Sequence, residues 1–513
     1  MYLNGKLLIG KNEKKETCIL PNMANRHGII TGASGTGKTT TVKVLAESFS
    51  SAGVPVFVAD VKGDLGGCAY PGESNENLVN RIKEMDLNEF DYKSFPVRFW
   101  DIYGKCGHPI RTTVESVGSN ILSMMLGLSD AQDGVLNIVF KIAHDENLKL
   151  IDLKDLRLIL QYVGDNRNKY ITKYGNITTG SIGVIQRSLL TLESQGGDEF
   201  FGEPSLDIHD FLNINEKGEG FINILHAVEL FQNPDLYASF LLWLLTELFT
   251  ILPEVGDMDK PKVVFFFDEA HLLFNNMPSF RLKQIVQVVK LIRSRGIGLY
   301  FISQSPSDIP NEVLSQLSNR IQHGLRAYTP SEQKVVKAAA EAFRVNPEFK
   351  TEEAILNLGT GEAVVSFLNE KGEPEIAEKV KILPPQSKMG TIDDMSRTKI
   401  INSSILAGKY EERIDNESAY EILVKQIEEK EKELEEEKLK KEEEKRLKEE
   451  EKENIKKQKE LEKQKKEAEK KKREEERELK NSVGYKLGKK VVNKTTDKLI
   501  NKGLNSIIKK LFK

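Results

Sequence analysis

A glycine-rich loop between a short apolar run and a helical run is the feature that most constrains the fold of this chain. Residues 32–39 read GASGTGKT and match the pattern G-x-x-x-x-G-K-S/T. The run GIIT predicts a strand before the loop, and TTTVKVLAESF predicts a helix after it. Glycines let the backbone curl so that successive N–H groups face phosphate oxygens, and the helix N-terminus adds the positive end of its dipole. The segment therefore predicts a phosphate-binding loop.

Each residue of this loop has an expected part in binding ATP. The ammonium of Lys38 is predicted to bridge the β- and γ-phosphates, and the hydroxyl of Thr39 is predicted to bind Mg²⁺. An ordinary strand–turn–helix loop is the alternative interpretation. The other residues predicted to bind the nucleotide are Gly32, Ala33, Ser34, Gly35, Thr36, Gly37 and Thr40.

A fully apolar strand that ends in two carboxylates is the second element. Residues 263–267 read VVFFF, and Asp268 and Glu269 follow directly. Such a strand delivers its carboxylates to the carboxyl edge of a parallel sheet, where doubly wound folds bind their ligands. Asp268 is predicted to hold Mg²⁺ through water, and Glu269 to polarise the attacking water. Two solvated carboxylates at a strand end are the alternative.

Polar side chains also follow two other predicted strands. Gln304 comes after GLYFIS, and we expect it to contact the γ-phosphate or the attacking water, unless it is a turn or cap residue. Asp60 ends the strand VPVFVAD, with Lys62 two residues later. These two residues either line the same site or belong to a solvated turn.

Arginine is the residue that stabilises charge developing on a transferred phosphate. The sequence alone selects neither the arginine that reaches the site nor the subunit that supplies it. The candidates are Arg187, Arg293, Arg295, Arg320 and Arg326.

The alternation of strands and helices predicts an α/β fold with a parallel sheet. We expect a RecA-like P-loop NTPase core with a helical insertion, followed by a long charged helix and an amphipathic C-terminal tail. The predicted parts are the first half of the core with the phosphate loop (1–104), the mainly helical insertion (105–220), the second half of the core with the DEAH motif and a hairpin (221–410), the charged helix or weak coiled coil (411–480), and the basic amphipathic tail (481–513).

The C-terminal segments leave several alternatives open. Residues 426–480 are almost entirely Glu, Lys and Arg, with about one apolar residue per heptad, where a stable coiled coil has two. A solvated single helix, a weak coiled coil and disorder all fit this pattern. The tail has an apolar face opposite lysines, so it lies on an anionic membrane, docks on a partner, or packs on its own protein. The apolar residues of that face are Ile500, Leu504, Ile507, Ile508 and Leu511.

Charge and composition limit the partners and the compartment. The net charge is −3, and residues 481–513 carry +8, so the preceding residues carry −11. A nucleic-acid surface on this acidic body must be local, as inside a ring. The three cysteines are far apart, and no signal-like apolar region begins the chain, which predicts a cytoplasmic protein. The apolar run 240–249 is short and predicts a buried helix.

Long sequence blocks resemble the bacterial HerA-like ATPases, within the HerA/FtsK group of ring-forming translocases. They include HGIITGASGTGKTTT, FVADVKGDL, KVVFFFDEAHLLF and VVKLIRSRGIGLYFISQSPSDIP, and the similarity spans about residues 1–423. It is closest to a stand-alone branch of the family. HerA proper carries an N-terminal β-barrel and works with a nuclease. Here the phosphate loop starts at residue 32, so the resemblance does not extend to the barrel or to a nuclease partner.

The resemblance implies a hexameric ring with ATP sites between subunits and DNA passing through the pore. It maps the phosphate-binding lysine onto Lys38, the Mg²⁺ carboxylate onto Asp268, the water-activating glutamate onto Glu269, the sensor glutamine onto Gln304 and an arginine onto Arg293. The leading hypothesis is therefore an ATP-hydrolysing DNA translocase or helicase.

Two other classes of function remain. An ATP-gated assembly or scaffold protein would use its C-terminal helix and tail to bind a partner or a membrane. A P-loop kinase is disfavoured because paired carboxylates follow an apolar strand and no acceptor-site signature is present.

Overall fold

The computed structural model describes residues 1–274 and 279–481. Nearly all of the predicted amphipathic tail, from residue 482 onward, lies outside the described residues. The chain divides into two compact units, Met1–Val424 and Lys425–Lys513.

The strands of the described residues form one mixed sheet. They are β1 (Tyr2–Leu3), β2 (Lys6–Lys11), β3 (Glu16–Ile19), β4 (Gly28–Thr31), β5 (Val56–Asp60), β6 (Val97–Asp101), β7 (His108–Pro109), β8 (Ile222–His226), β9 (Val263–Phe267), β10 (Ile297–Ser303), β11 (Asn319–His323), β12 (Glu362–Ser366) and β13 (Glu378–Ile382).

The helices of the described residues lie between these strands or follow the last of them. They are α1 (Lys38–Ser51), α2 (Glu76–Glu84), α3 (Val114–Met125), α4 (Asp130–Asp145), α5 (Leu153–Asp165), α6 (Arg167–Tyr174), α7 (Thr179–Ser194), α8 (Gly197–Phe200), α9 (Pro234–Ile251), α10 (Ser279–Ile292), α11 (Asn311–Leu314), α12 (Pro330–Glu341), α13 (Thr351–Leu356), α14 (Asp394–Asn402) and α15 (Ala419–Asn481).

The order of the strands determines which loops meet. The path β11-β4-β10-β9-β5-β8-β6-β7 is parallel throughout, so the carboxyl ends of these strands share one edge. A single strand, β10, separates the strand before the glycine-rich loop from the strand before the acidic pair. This arrangement confirms the predicted α/β class with a RecA-like P-loop core.

Burial on both faces explains why β9 is apolar throughout. Val263, Phe265 and Phe267 of β9 pack in one core, whereas Val264 and Phe266 pack in a second core on the opposite face. Side chains alternate between faces along a strand, so a strand covered on both sides favours apolar residues at successive positions. The helical insertion and α9 fill the first core, and α1 with the N-terminal strands fills the second.

The segment between β7 and β8 carries α3 to α8, which is the part of the chain where we expect a mainly helical insertion. It packs on α9, an apolar helix of 18 residues that is long and apolar enough to cross a membrane. More than half of α9 is buried inside the fold, so it is a helix of the core.

An antiparallel extension continues the sheet beyond β11. β12 and β13 pair as a hairpin, and β13 then pairs with β2. The hairpin turns where Asn369 N–H donates to Glu373 O at 3.0 Å. This extension places the start of β12 beside the glycine-rich loop.

The connection between α14 and α15 runs along the helical insertion. Tyr410 Oη donates to Asp210 Oδ2 at 2.5 Å, and Ser418 Oγ donates to Asp155 Oδ1 at 2.5 Å. Both Tyr410 and Ser418 are buried. The residues that lead into α15 therefore belong to the first compact unit.

The charged segment is one helix, α15, of 63 residues and about 95 Å. It begins at Ala419, later than the predicted boundary at 411. Its side chains are exposed from residue 428 to residue 480. Ion pairs spaced by four residues lie along it, such as Lys441 with Glu437 at 2.7 Å. Such pairs support a helix that has no packed face.

Candidate functional site

The glycine-rich loop leaves β4 and enters α1 at Lys38. Gly32, Gly35 and Gly37 have φ of +154°, +77° and +114°, which favour glycine over other residues. A Cβ atom at Gly32 would also lie 2.5 Å from the Cβ of His323. Both the backbone conformation and the close approach therefore require glycine at this position.

Backbone hydrogen bonds fix the loop to two neighbouring strands. Ala33 N–H donates to Gly324 O at 3.0 Å, just after β11. Gly361 N–H, just before β12, donates to Thr36 O at 2.9 Å. The hydroxyl of Thr36 donates to Ala33 O at 2.7 Å within the loop. The loop is thus held in shape by hydrogen bonds within the chain.

The N-terminus of α1 is suited to an anion. No side chain of the described residues caps this end, and the first turn holds no acidic residue. The first N–H groups of a helix have no partner within it, and they carry the positive end of the dipole. Lys38 Nζ donates to Gly32 O at 2.5 Å and to Ala33 O at 3.1 Å, so the ammonium lies over the loop. Burial and the nearby charge of Lys62 lower the pKa of Lys38.

A buried histidine that no local sequence pattern indicates packs against the loop. His323 Nδ1 lies 2.9 Å from Glu362 O, and Nε2 lies 2.9 Å from Thr41 Oγ1. Because a carbonyl only accepts, Nδ1 carries the proton and the Thr41 hydroxyl donates to Nε2. Burial lowers the pKa of His323 to about 4, so the ring is neutral. His323 therefore links β11, β12 and α1 as a positioning residue.

The register of the sheet brings three strand ends together. Ser303 pairs with Thr31, so Gln304 stands level with the first glycine of the loop. Phe301 pairs with Phe267, so the acidic pair follows on the other side of β10. The loop, Gln304 and the carboxylates thus share the carboxyl edge of three adjacent strands.

Asp268 lies at this edge with few partners. Its Oδ1 accepts one hydrogen bond, from Glu269 N–H at 2.9 Å, and in the described part of the chain its Oδ2 accepts none. Burial and the neighbouring charge of Glu269 raise the pKa of Asp268 to about 6. The hydroxyl of buried Tyr237 donates to the backbone carbonyl of Asp268 at 2.7 Å and fixes its position. The carboxylate is thus available to a cation.

Glu269 has a strained backbone and an unpartnered oxygen. Its φ of 47° and ψ of 43° are left-handed, which is uncommon for a residue other than glycine. Its Oε2 is buried and lies 3.3 Å from His271 Nδ1, without the geometry of a hydrogen bond. Neither atom has a hydrogen-bond partner among the described residues. This carboxylate oxygen therefore lacks the hydrogen bond that a buried polar atom ordinarily has.

Gln304 is exposed and lines a cavity of about 510 Å³ beside the loop. Ala33, His271 and Arg326 line the same cavity. The structure therefore brings together the phosphate loop, the acidic pair and the predicted sensor.

The arginine candidates separate into groups. Arg293 precedes β10, so it lies at the amino edge of the sheet, about seven strand residues or 23 Å from Gln304. The structure does not bring it to the loop of its own chain. Arg295 and Arg320 donate to backbone carbonyls of their own fold, and Arg187 is exposed on α7.

Asp60 and Lys62 have different surroundings, although both follow the core of β5. The buried carboxylate of Asp60 accepts hydrogen bonds from four backbone N–H groups, those of residues 62–65. Asp60 therefore shapes a turn, and its oxygens are occupied by backbone N–H groups. Lys62 is exposed, and its charge acts on both Lys38 and Asp268.

Comparison with known families and proteins adds to this geometry. The model of the family described as "Helicase HerA-like C-terminal" matches residues 6–510. "Probable helicase MJ1565" of Methanocaldococcus jannaschii is 32% identical over 156 residues, which are 30% of this chain and 29% of that protein. The matched region thus spans less than a third of that relative's length. "DNA double-strand break repair helicase HerA" of Sulfurisphaera tokodaii is 22% identical over 379 residues, which are 71% of this chain and 67% of that protein.

Solved structures with a related arrangement have low sequence identity to the chain. VirB4 of Thermoanaerobacter pseudethanolicus is 14% identical with a TM-score of 0.46, covering 75% of this chain and 97% of that one. The bacterial conjugative coupling protein TrwBdeltaN70 is 14% identical with a TM-score of 0.45, covering 74% of this chain and 91% of that one.

Proposed function

Because the chain belongs to the family of HerA-like helicase C-terminal domains, we propose that it is an ATP-hydrolysing motor that moves DNA. One observation carries the proposal: an anion-binding loop and an acidic pair, in which one oxygen of each carboxylate has no hydrogen-bond partner among the described residues, lie at the ends of β4 and β9, with only β10 between them. An anion receptor beside free carboxylates suits a nucleotide bound with a divalent cation.

The residues at this edge fit Mg²⁺. The Asp268 carboxylate has one hydrogen bond from the described chain and a pKa raised to about 6 by burial and by Glu269, so a cation would relieve an unfavourable charge. Asp268, through water, and Thr39 would hold the ion. When bound, Mg²⁺ offsets the negative charge of the phosphates.

The chain's own residues would then carry out hydrolysis. Lys38 and the N–H groups of the loop bind the β- and γ-phosphates. Glu269 orients a water molecule and accepts its proton as the water oxygen bonds to the γ-phosphorus. The bond from that phosphorus to the bridging oxygen breaks, and ADP leaves with the electron pair. Gln304 contacts the terminal phosphate or the water and so responds to the state of the nucleotide.

We also propose that the motor is a hexameric ring in the cytoplasm with DNA in its pore. Both relatives are named as helicases, and the acidic charge of residues 1–480 favours a local DNA surface over a broad one. Arg293 lies at the sheet edge opposite its own loop, so a second copy would have to supply it to a phosphate. In a ring, ATP sites between neighbours would meet this requirement.

Hydrolysis of ATP by the full chain, with and without double-stranded DNA, tests the proposal. We expect phosphate release that rises at least several-fold with DNA and is lost in Lys38→Ala. Turnover that depends on Lys38 but ignores DNA would contradict the DNA motor and favour an ATP-gated scaffold that acts through residues 426–513. No phosphate release under either condition would contradict the ATPase itself.

A further inference from the structure

The turn after β5 presents a lysine to the edge where the phosphate loop and the acidic pair meet. Val58 pairs with Phe266, so Asp60 stands level with Asp268 on the neighbouring strand, and Lys62 follows two residues later. Neighbouring strands lie about 4.8 Å apart. The register alone therefore brings this turn beside the predicted metal-binding carboxylate.

The turn is built in a way that fixes Lys62. Four backbone N–H groups converge on the carboxylate of Asp60, at 2.7 to 3.3 Å. Gly63 adopts φ of +72°, and a Cβ there would lie 3.3 Å from Val228. Val61 is buried beneath the turn, and Lys62 is exposed above it. The backbone of Lys62 is thus held in place by contacts that do not involve its side chain.

The ammonium of Lys62 has no hydrogen-bond or ion-pair partner in the described part of the chain, although the carboxylates of Asp64 and Asp268 are near enough to feel its charge. It adds positive charge near Lys38, which is already partly desolvated, so the two ammoniums repel each other. An anion between the two ammoniums would attract both of them and offset their mutual repulsion. Lysine binds phosphate as a point charge, and charge-assisted contacts of this kind are among the stronger polar interactions.

We propose that Lys62 is a second phosphate-binding lysine, which contacts the terminal phosphate of ATP and makes the site discriminate ATP from ADP. This assignment rests on the proposed function, because it requires ATP at the loop. Lys38 comes from the loop side and Lys62 from the β5 side, so the terminal phosphate is held from two directions. ADP lacks that phosphate and leaves Lys62 without a contact.

The chain contains a closely matched control in a second turn of the same kind. Asn215 accepts from Lys217 N–H at 3.0 Å and from Glu219 N–H at 2.9 Å, and Gly218 follows with φ of +79°. Lys217 is exposed, but this turn precedes β8 and therefore lies at the opposite edge of the sheet. Lys217→Ala removes a lysine from the same turn geometry away from the site.

Equilibrium binding of a non-hydrolysable ATP analogue and of ADP, both with Mg²⁺, tests the assignment. We expect Lys62→Ala to weaken analogue binding about tenfold and ADP binding less than twofold, Lys62→Arg to restore most of the loss, and Lys217→Ala to change neither. Equal affinities in Lys62→Ala and the wild type, or equal losses for both nucleotides, would overturn the assignment while leaving nucleotide binding intact. A wild-type chain that binds neither nucleotide would overturn the proposed function together with it.

Discussion

Two aspartates at the same level of neighbouring strands have opposite surroundings. Asp60, at the end of β5, is 4% exposed, and its carboxylate accepts four backbone hydrogen bonds. Asp268, after β9, accepts one from the residues that the structure describes, and burial with the charge of Glu269 raises its pKa to about 6. The first carboxylate is saturated by its own turn, and the second is left for a ligand. The difference shows that an aspartate at a strand end becomes a binding group only when the chain leaves its oxygens free.

The substitution Asp268→Asn tests this contrast with the largest expected effect. We expect ATP turnover to fall by about 10²–10³-fold, because the amide removes the charge that holds Mg²⁺. The apparent melting temperature of the nucleotide-free protein at neutral pH should not fall. An acid whose folded pKa is raised favours folding most at low pH and loses this contribution as pH rises through about 6, so a neutral amide removes a cost. A clear loss of stability in this variant would make Asp268 structural, like Asp60.

We expect the stability of the folded chain to depend on pH through His323, which lies beside the phosphate loop. Its pKa of about 4 in the folded chain lies below the ordinary 6.5, because burial disfavours the charged ring. Stabilisation by the neutral ring is therefore complete above pH 6.5 and is lost as pH falls toward 4. In urea denaturation, we expect the stability gap between wild type and His323→Gln to shrink by up to about 3 kcal/mol from pH 7 to pH 4. A constant gap for His323→Gln would contradict a neutral buried ring.

Asp60→Asn should show the reverse of Asp268→Asn. The amide oxygen can replace one carboxylate oxygen, but the amide nitrogen then faces the N–H of Leu65, which loses its acceptor at 2.9 Å. We expect a loss of about 2 kcal/mol in the free energy of unfolding, and a much smaller change in turnover than Asp268→Asn causes. Chemical denaturation and phosphate release measured on the same preparations separate the two effects. Unchanged stability would show that the turn does not depend on the charge of Asp60.

The smallest expected effect comes from Gly63→Ala. The positive φ and the contact with Val228 should destabilise the turn by about 1 kcal/mol. Because the turn carries Lys62, affinity for an ATP analogue should fall more than affinity for ADP. Gly218→Ala, in the matching turn at the opposite edge, should destabilise without altering either affinity. If Gly63→Ala and Gly218→Ala show the same ratio of ATP-analogue affinity to ADP affinity, then the shape of the turn that carries Lys62 does not determine nucleotide discrimination.

The elements with strong local signals are those that the sequence predicts best. β9 and β10 are continuous apolar runs because both of their faces are buried. The start of α12 follows from its capping box, in which Glu332 N–H donates to the hydroxyl of Thr329 and the Glu332 carboxylate accepts from Thr329 N–H. The loop before α1 is predicted by its own motif and by the apolar strand and the helical run on either side of it.

The elements that the sequence does not reveal depend on contacts between distant residues. β11 reads NRIQH, and its buried Asn319, Gln322 and His323 are polar. This pattern does not predict a strand in the middle of a sheet. The support that His323 gives to the loop joins positions far apart in the chain, and no local pattern indicates it. Asp60 and Asp268 both follow apolar runs, so composition alone does not separate the structural residue from the candidate ligand. The hydrogen bonds around each carboxylate do.

Hydrolysis and binding of ATP by Glu269→Gln test the central claim most directly. We expect this variant to bind a non-hydrolysable analogue with wild-type affinity, because the amide keeps the shape of the side chain and Asp268 and the loop are intact. Phosphate release should fall by about 10²–10⁴-fold, because an amide cannot accept the proton of the attacking water. Phosphate release within a few-fold of wild type would contradict the account, since the acidic pair would then not be the hydrolytic group.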